Sequence, residues 1–217
     1  MNRHVLTSVL AVAFLFSVIV LASQEDGAHI LWNRKGYTPE QPIAYSHRLH
    51  AGELQIDCQY CHFGADKSRH AGIPPASVCM NCHRFVQATL GAIRAEDELA
   101  KAEERDPVPV MSAEIQKVYT ALALDGKAER DPDLDQSPIR WTKIHRVPDY
   151  VYFDHRPHVS VGLACQRCHG AIETMERVRQ VEDLSMGWCV NCHRDVNATG
   201  VAGQEVDASI DCVACHY

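Results

Sequence analysis

Every cysteine in this 217-residue chain belongs to a Cys-x-x-Cys pair, and every pair is followed at once by histidine. The five sites are Cys58-x-x-Cys61-His62, Cys79-x-x-Cys82-His83, Cys165-x-x-Cys168-His169, Cys189-x-x-Cys192-His193 and Cys212-x-x-Cys215-His216. Cysteines three apart lie on one side of a helical turn, so both sulfurs can reach one flat partner while the next histidine reaches a metal at its centre. That is the attachment signature of c-type haem, with the histidine as proximal iron ligand. A disulfide framework also wants an even cysteine count, but it needs no histidine after each pair. Structural zinc takes its histidines at other spacings, and thioredoxin-like pairs occur singly on a βαβ framework, for which no pattern is present. The spacing therefore predicts five covalently attached c-type haems.

Composition agrees. Aromatic residues are only 7% of the chain, too few for an ordinary core, so the haems are expected to supply apolar volume and folding to depend on them. A net charge of −7 with no basic tract argues against nucleic acid, and haem propionates would add to the negative surface, favouring partners with positive docking patches.

At the N-terminus, Arg3 and His4 precede an uncharged, mostly apolar run from Val5 to Ala22, closed by Gln24, Glu25 and Asp26. A cleavable signal peptide has an apolar stretch of about 7–15 residues, whereas a spanning helix needs about 17–25. The run falls in the second class and predicts a retained anchor over residues 1–23, oriented by Arg3 inside and the acidic pair outside. The rest of the chain would then face the periplasm. Cleavage after Ala22 is the alternative.

The haem motifs sit in a repeat. His47-x-x-His50, Cys58-x-x-Cys61-His62 and Cys79-Met80-Asn81-Cys82-His83-Arg84 are followed later by His155-x-x-His158, Cys165-x-x-Cys168-His169 and Cys189-Val190-Asn191-Cys192-His193-Arg194. This reads as a duplicated two-haem unit, with the fifth site appended. The expected organisation is a first two-haem unit over 24–84, a spacer over 85–140 free of cysteine and histidine, and a three-haem unit over 141–217. In the spacer, Phe85 to Arg105 is helix-prone and stops before Pro107. Ser112 can cap a second helix whose Ile115, Val118, Tyr119 and Leu122 form one apolar stripe facing a core, with Asp125-Gly126 ending it. The predicted fold class is mainly α with much irregular structure, a haem-packed core and one N-terminal transmembrane helix.

Beyond the N-terminal apolar run, seven histidines outside the motifs compete for five distal positions on iron. His47, His50, His155 and His158 stand just ahead of haem motifs and are read as ligands. His145, within Trp141-Thr-Lys-Ile-His145-Arg-Val-Pro148, is read as the fifth. His70 is held in reserve, and His29 is assigned to an exposed loop. Met186 and Met80 are thioether alternatives, although a methionine usually serves packing. With every iron capped by protein, no catalytic site is expected.

Tyr45-Ser-His47-Arg-Leu-His50-Ala-Gly with Asp57-Cys58-Gln-Tyr-Cys61-His62 resembles the pentahaem cytochrome c subunit of alternative complex III. So do Ile73-Pro-Pro-Ala-Ser-Val-Cys79-Met-Asn-Cys82-His83, Pro148-Asp-Tyr-Val-Tyr-Phe-Asp-His155 and Leu184-Ser-Met-Gly-Trp188-Cys189. The resemblance runs from Tyr45 to the end of the chain. It implies a multihaem cytochrome c fold and a single-pass subunit of a quinol-oxidising respiratory complex in the cytoplasmic membrane. Its implied partners are iron–sulfur or molybdopterin-like subunits, quinol-binding integral subunits, and a monohaem cytochrome c or terminal oxidase downstream. A multihaem reductase and a stand-alone quinol dehydrogenase or periplasmic electron carrier are the alternatives.

An iron bound by four porphyrin nitrogens and a motif histidine accepts one further ligand, so the two histidines of each His-x-x-His pair must serve different, neighbouring irons. Replacing His158 with alanine should leave the covalent haem count unchanged and turn one haem high-spin. Replacing His155 should do the same to a haem of different potential. Redox titration with resonance Raman that finds the same haem altered in both variants would refute this.

Overall fold

The computed structural model describes residues 3–22 and 34–216, with side chains over 5–19 and 34–216. The expected loop residue His29 and the alternative cleavage point before Ser23 lie outside the described residues. The architecture is mainly helical and irregular. Among the described residues β-structure is limited to the isolated bridges Leu124–Arg130, Val151–His216 and Val201–Gln204.

Helix α1 covers Arg3–Ala22, and its apolar side chains from Val5 to Ile19 are exposed. Over the described residues no helix is long and apolar enough to cross a membrane. Each motif then carries its own helix or helical turn: α2 (Cys58–Cys61), α3 (Ala76–His83), α7 (Gln166–His169), α8 (Met186–Thr199) and α9 (Cys212–Cys215). Such short helices need help at their ends, because the first amide groups have no partner within the helix. Asp57 accepts from the Gln59 amide at 2.7 Å and Ser185 from the Trp188 amide at 3.2 Å.

Between the repeats lie α4 (Leu90–Ala102) and α5 (Ala113–Leu122), which begin at the capping residues Thr89 and Ser112. The α5 stripe faces inward as its spacing requires. Val118 and Tyr119 are buried with Ile43 and Met80, and Ile115, Leu122, Ile139 and Trp141 pack around them. Met80 is thereby a core residue, while Met186 at the start of α8 is exposed. The first spacer helix starts later than its composition suggests. Residues from Phe85 to Ala88 are held out of it because the Val86 carbonyl accepts from His83, and Gln87 binds Tyr119 and Gly126. The second ends at Leu122, before Asp125-Gly126, where Ala123 turns left-handed with φ 52°.

The two repeats start differently. His155 and His158 lie on α6 (His155–Ser160), whereas His47 and His50 open a π-helical turn, Arg48–Glu53. The first repeat has one residue more between its second histidine and its cysteine pair, His50 to Cys58 against His158 to Cys165. A one-residue insertion widens an α-turn into a π-turn while keeping the flanking residues in place. The π-turn packs on the 3-10 turn Ile172–Thr174 of the other repeat. There the backbone approach leaves no room for a Cβ at Gly52, which would collide with the Glu173 carbonyl oxygen. Arg48 ties the same junction through Glu53 and Glu176, and its amide donates to the Met175 carbonyl.

Gly52→Ala should therefore destabilise the holoprotein by about 1–3 kcal/mol. Gly91→Ala, in α4 with open space around the position, should be neutral or stabilising by up to about 1 kcal/mol. Thermal melts of the two variants check the contrast.

Candidate haem-binding sites

All ten motif cysteines are among the described residues, and none is joined to another by a disulfide. The helical turns place each pair as the sequence spacing requires. What the spacing leaves open is how the histidines are set, and here the structure is informative. His62 donates from Nδ1 to the Gly72 carbonyl at 2.7 Å, His83 to Val86 at 2.7 Å and His193 to Ser209 at 2.6 Å. Among the histidines outside the motifs, His50 donates to Ser46 at 2.8 Å, His155 to Arg69 at 2.9 Å and His158 to Asp154 at 2.8 Å. A carbonyl only accepts, so each Nδ1 carries the proton, and in the neutral ring Nε2 is the nitrogen with the free lone pair. This is the arrangement that orients a histidine for metal ligation.

The rings then pair. A metal–imidazole bond is about 2.0–2.1 Å, and adding the reach from nitrogen to ring centre puts two rings on opposite faces of one metal roughly 6–6.5 Å apart. His50 and His83 lie 6.1 Å apart, His155 and His169 6.4 Å, and His158 and His193 6.0 Å. His47 has His62 as its foremost charged neighbour. No group of three or more His, Cys, Asp or Glu among the described residues is arranged to hold a bare metal ion. Paired imidazoles suit a metal whose other four positions are filled by a porphyrin.

Burial sets the charge state of several histidines. It lowers the pKa of His47 to about 4, with neighbouring His62 and His50 adding to the effect, and that of His145 to about 4. His169 falls to about 3 through burial and then its histidine neighbours. The neutral ring is the ligating form. His47 Nδ1 and His145 Nε2 are buried with no hydrogen-bond partner, a costly state for a polar atom and one that a ligand bond at His145 Nε2 would relieve. His145 stands edge-on to His169 at 4.4 Å, too close for the two to share a metal from opposite faces. His70 is exposed. His216 has Tyr150 as ring neighbour at 5.8 Å, and the Tyr152 amide donates to the Cys215 carbonyl at 2.8 Å.

Two supporting residues were legible only as part of the repeat. Tyr45 and Phe153 each stand two residues before a His-x-x-His pair. Tyr45 packs edge-on to His47 at 4.8 Å and stacks on His50 at 4.4 Å. Phe153 lies 4.9 Å from both His155 and His158. An aromatic wedge thus spreads each pair, and its signal was the shared offset in both halves. Asp154 adds a cap to the second pair, accepting from the Arg156 amide at 2.9 Å. Hydrogen bonds from the Arg156 side chain hold its carboxyl well below the usual range.

Residues 151–217 match the family described as cytochrome c7 and related cytochrome c. A menaquinone reductase multihaem cytochrome c subunit from Nitratidesulfovibrio vulgaris is 23% identical over 197 residues, covering 82% of this chain and 77% of that protein. The chain is similar to multihaem c-type cytochromes. Its paired, carbonyl-oriented histidines fit haem iron.

Besides the packing on Met80, the buried Tyr119 ties the spacer to the second motif by hydrogen bonds. Tyr119, fully buried, donates to the His83 carbonyl at 3.0 Å and accepts from Gln87 at 2.8 Å. Tyr119→Phe should cost about 1–2 kcal/mol of stability, because two half-buried partners lose the buried hydroxyl. Denaturant titration of the holoprotein measures it.

Proposed function

We propose that this cytochrome binds five haems, one at each Cys-x-x-Cys-His site, and serves as the electron-transfer subunit of a membrane-bound, quinone-linked respiratory complex. The observation that carries the haem reading is the set of histidine pairs about 6 Å apart, each joining a motif histidine to one outside the motifs. Bound haem supplies reversible one-electron chemistry at iron. The chain's own work is to attach, orient and cap. His62 is opposed by His47, His83 by His50, His169 by His155 and His193 by His158, with the Nδ1 hydrogen bonds fixing most of these rings. His145 serves the fifth site with His216, a role supported by its buried, unpartnered Nε2. Irons capped on both faces by protein carry electrons without binding substrate.

The motif resemblance to the pentahaem subunit of alternative complex III supports a quinol-oxidising complex. In that reading the N-terminal apolar run from Val5 to Ala22 anchors the chain in the cytoplasmic membrane with the haem-bearing part on the periplasmic side. Iron–sulfur and quinol-binding integral subunits lie beside it, and a monohaem cytochrome c or oxidase receives the electrons. A second reading has its own support, since the relative from N. vulgaris is named as a menaquinone reductase subunit. The same chain would then deliver electrons toward quinone.

Purification from native membranes with haem detection, followed by intact-mass analysis, should give five covalent haems on a chain that retains Arg3 and co-purifies with quinone-active integral subunits. Four haems or fewer, or a chain found alone and soluble, would reject the proposal. Quinol-driven cytochrome c reduction, set against menaquinone reduction from a reduced cytochrome, decides the direction. His145→Ala should keep five attached haems and turn one high-spin. An unchanged spectrum would pass the fifth position to Tyr150.

A further inference from the structure

Sequence order suggests that the sites follow one another as first to fifth, with the long spacer bridging the second and third. The tertiary neighbours disagree. Cys61 and Cys79, from the first and second sites, are close enough to act on each other's charge, and Tyr45 lies against both. The His47/His50 pair joins the same two sites. Cys58 of the first site, however, lies beside Cys165 of the third, and His62 is a neighbour of His169.

The backbone agrees with this first-to-third contact. His155, opposed to His169, takes the Arg69 carbonyl as acceptor for both its amide at 3.2 Å and its ring at 2.9 Å. Arg69 Nε in turn donates to the Phe153 carbonyl at 3.0 Å. The Gly52–Glu173 approach belongs to the same junction. Beyond it, Cys168 neighbours Cys192 and Cys189, and the His155/His158 pair joins the third and fourth sites. Cys189 neighbours Cys215, and the Ser209 carbonyl just before the fifth motif orients His193.

We infer that the five sites form an unbranched row in the order second, first, third, fourth, fifth, so that the second and fifth sites are its two ends. The inference rests on the proposed five-haem reading. The spacer does not bridge the repeats but folds back on the second site, where α5 and the buried Tyr119 cover the His83 turn. That placement leaves the first site free to meet the third.

The test uses the holoprotein. Intact mass first establishes the number of attached haems, and anomalous scattering at the iron edge from crystals then gives each iron's position, assigned by its motif. The expected result is five irons, with the His62 iron between those of His83 and His169, and the His193 iron between those of His169 and His216. Fewer than five haems would overturn the five-haem reading and the row with it. Five haems with the His83 and His169 irons adjacent, or with any branch, would overturn the order alone. A solution measurement checks the ends. His50→Met, which raises one potential by giving that iron a thioether ligand, should shift the midpoint of a single other haem. His155→Met should shift two. One shifted neighbour for His155→Met, or two for His50→Met, would contradict the row.

Discussion

An imidazole that gives its Nδ1 proton to a main-chain carbonyl has only one nitrogen left for a metal, and the carbonyl decides where that nitrogen points. Six histidines of this chain are held in that way. The acceptors are not decorations of the sites; they are the loops themselves. Gly72, Val86 and Ser209 lie in segments with no regular structure, and their course is set by the need to bring a carbonyl to a histidine. This explains how a chain with few buried apolar residues keeps a defined fold. The main chain is organised around ligand orientation, and apolar packing is concentrated where α5 meets Met80 and Ile43.

Duplication supplied the plan, and divergence gave the two halves different mechanical parts. His50 and His158 use the same bond, each donating to the carbonyl four residues earlier. The first members of the pairs do not match. His155 leans on the opposite repeat, while His47 is steadied by Tyr45 and has no Nδ1 partner. The extra residue that opens the π-turn puts Gly52 against Glu173, so the asymmetry between the halves is also what lets them dock.

The helical turns at the cysteine pairs and the α5 stripe were legible in the sequence because each depends on spacing over a turn or two of chain. Ser112 and the Ile115–Leu122 periodicity define α5 without reference to anything distant. Residues from Phe85 to Ala88 were not legible as a loop, since what pulls them from helix is His83 and Tyr119. The position of His145 beside His169 depends on Gln41 and Arg34 holding the Thr142 and Lys143 carbonyls, about a hundred residues away in sequence. The meeting of Arg69 with His155 is likewise a tertiary fact. Nothing in either local pattern announces it.

That meeting bears on how such a chain can be assembled. The Arg69 oxygen is in place only when the loop between the first two motifs has closed, and His155 cannot adopt its orientation before then. A polypeptide made from its N-terminus offers the earlier loop first. The leading half thus supplies the carbonyl on which the trailing half sets its first ligand, and the orientation of that ligand follows the closing of the earlier loop.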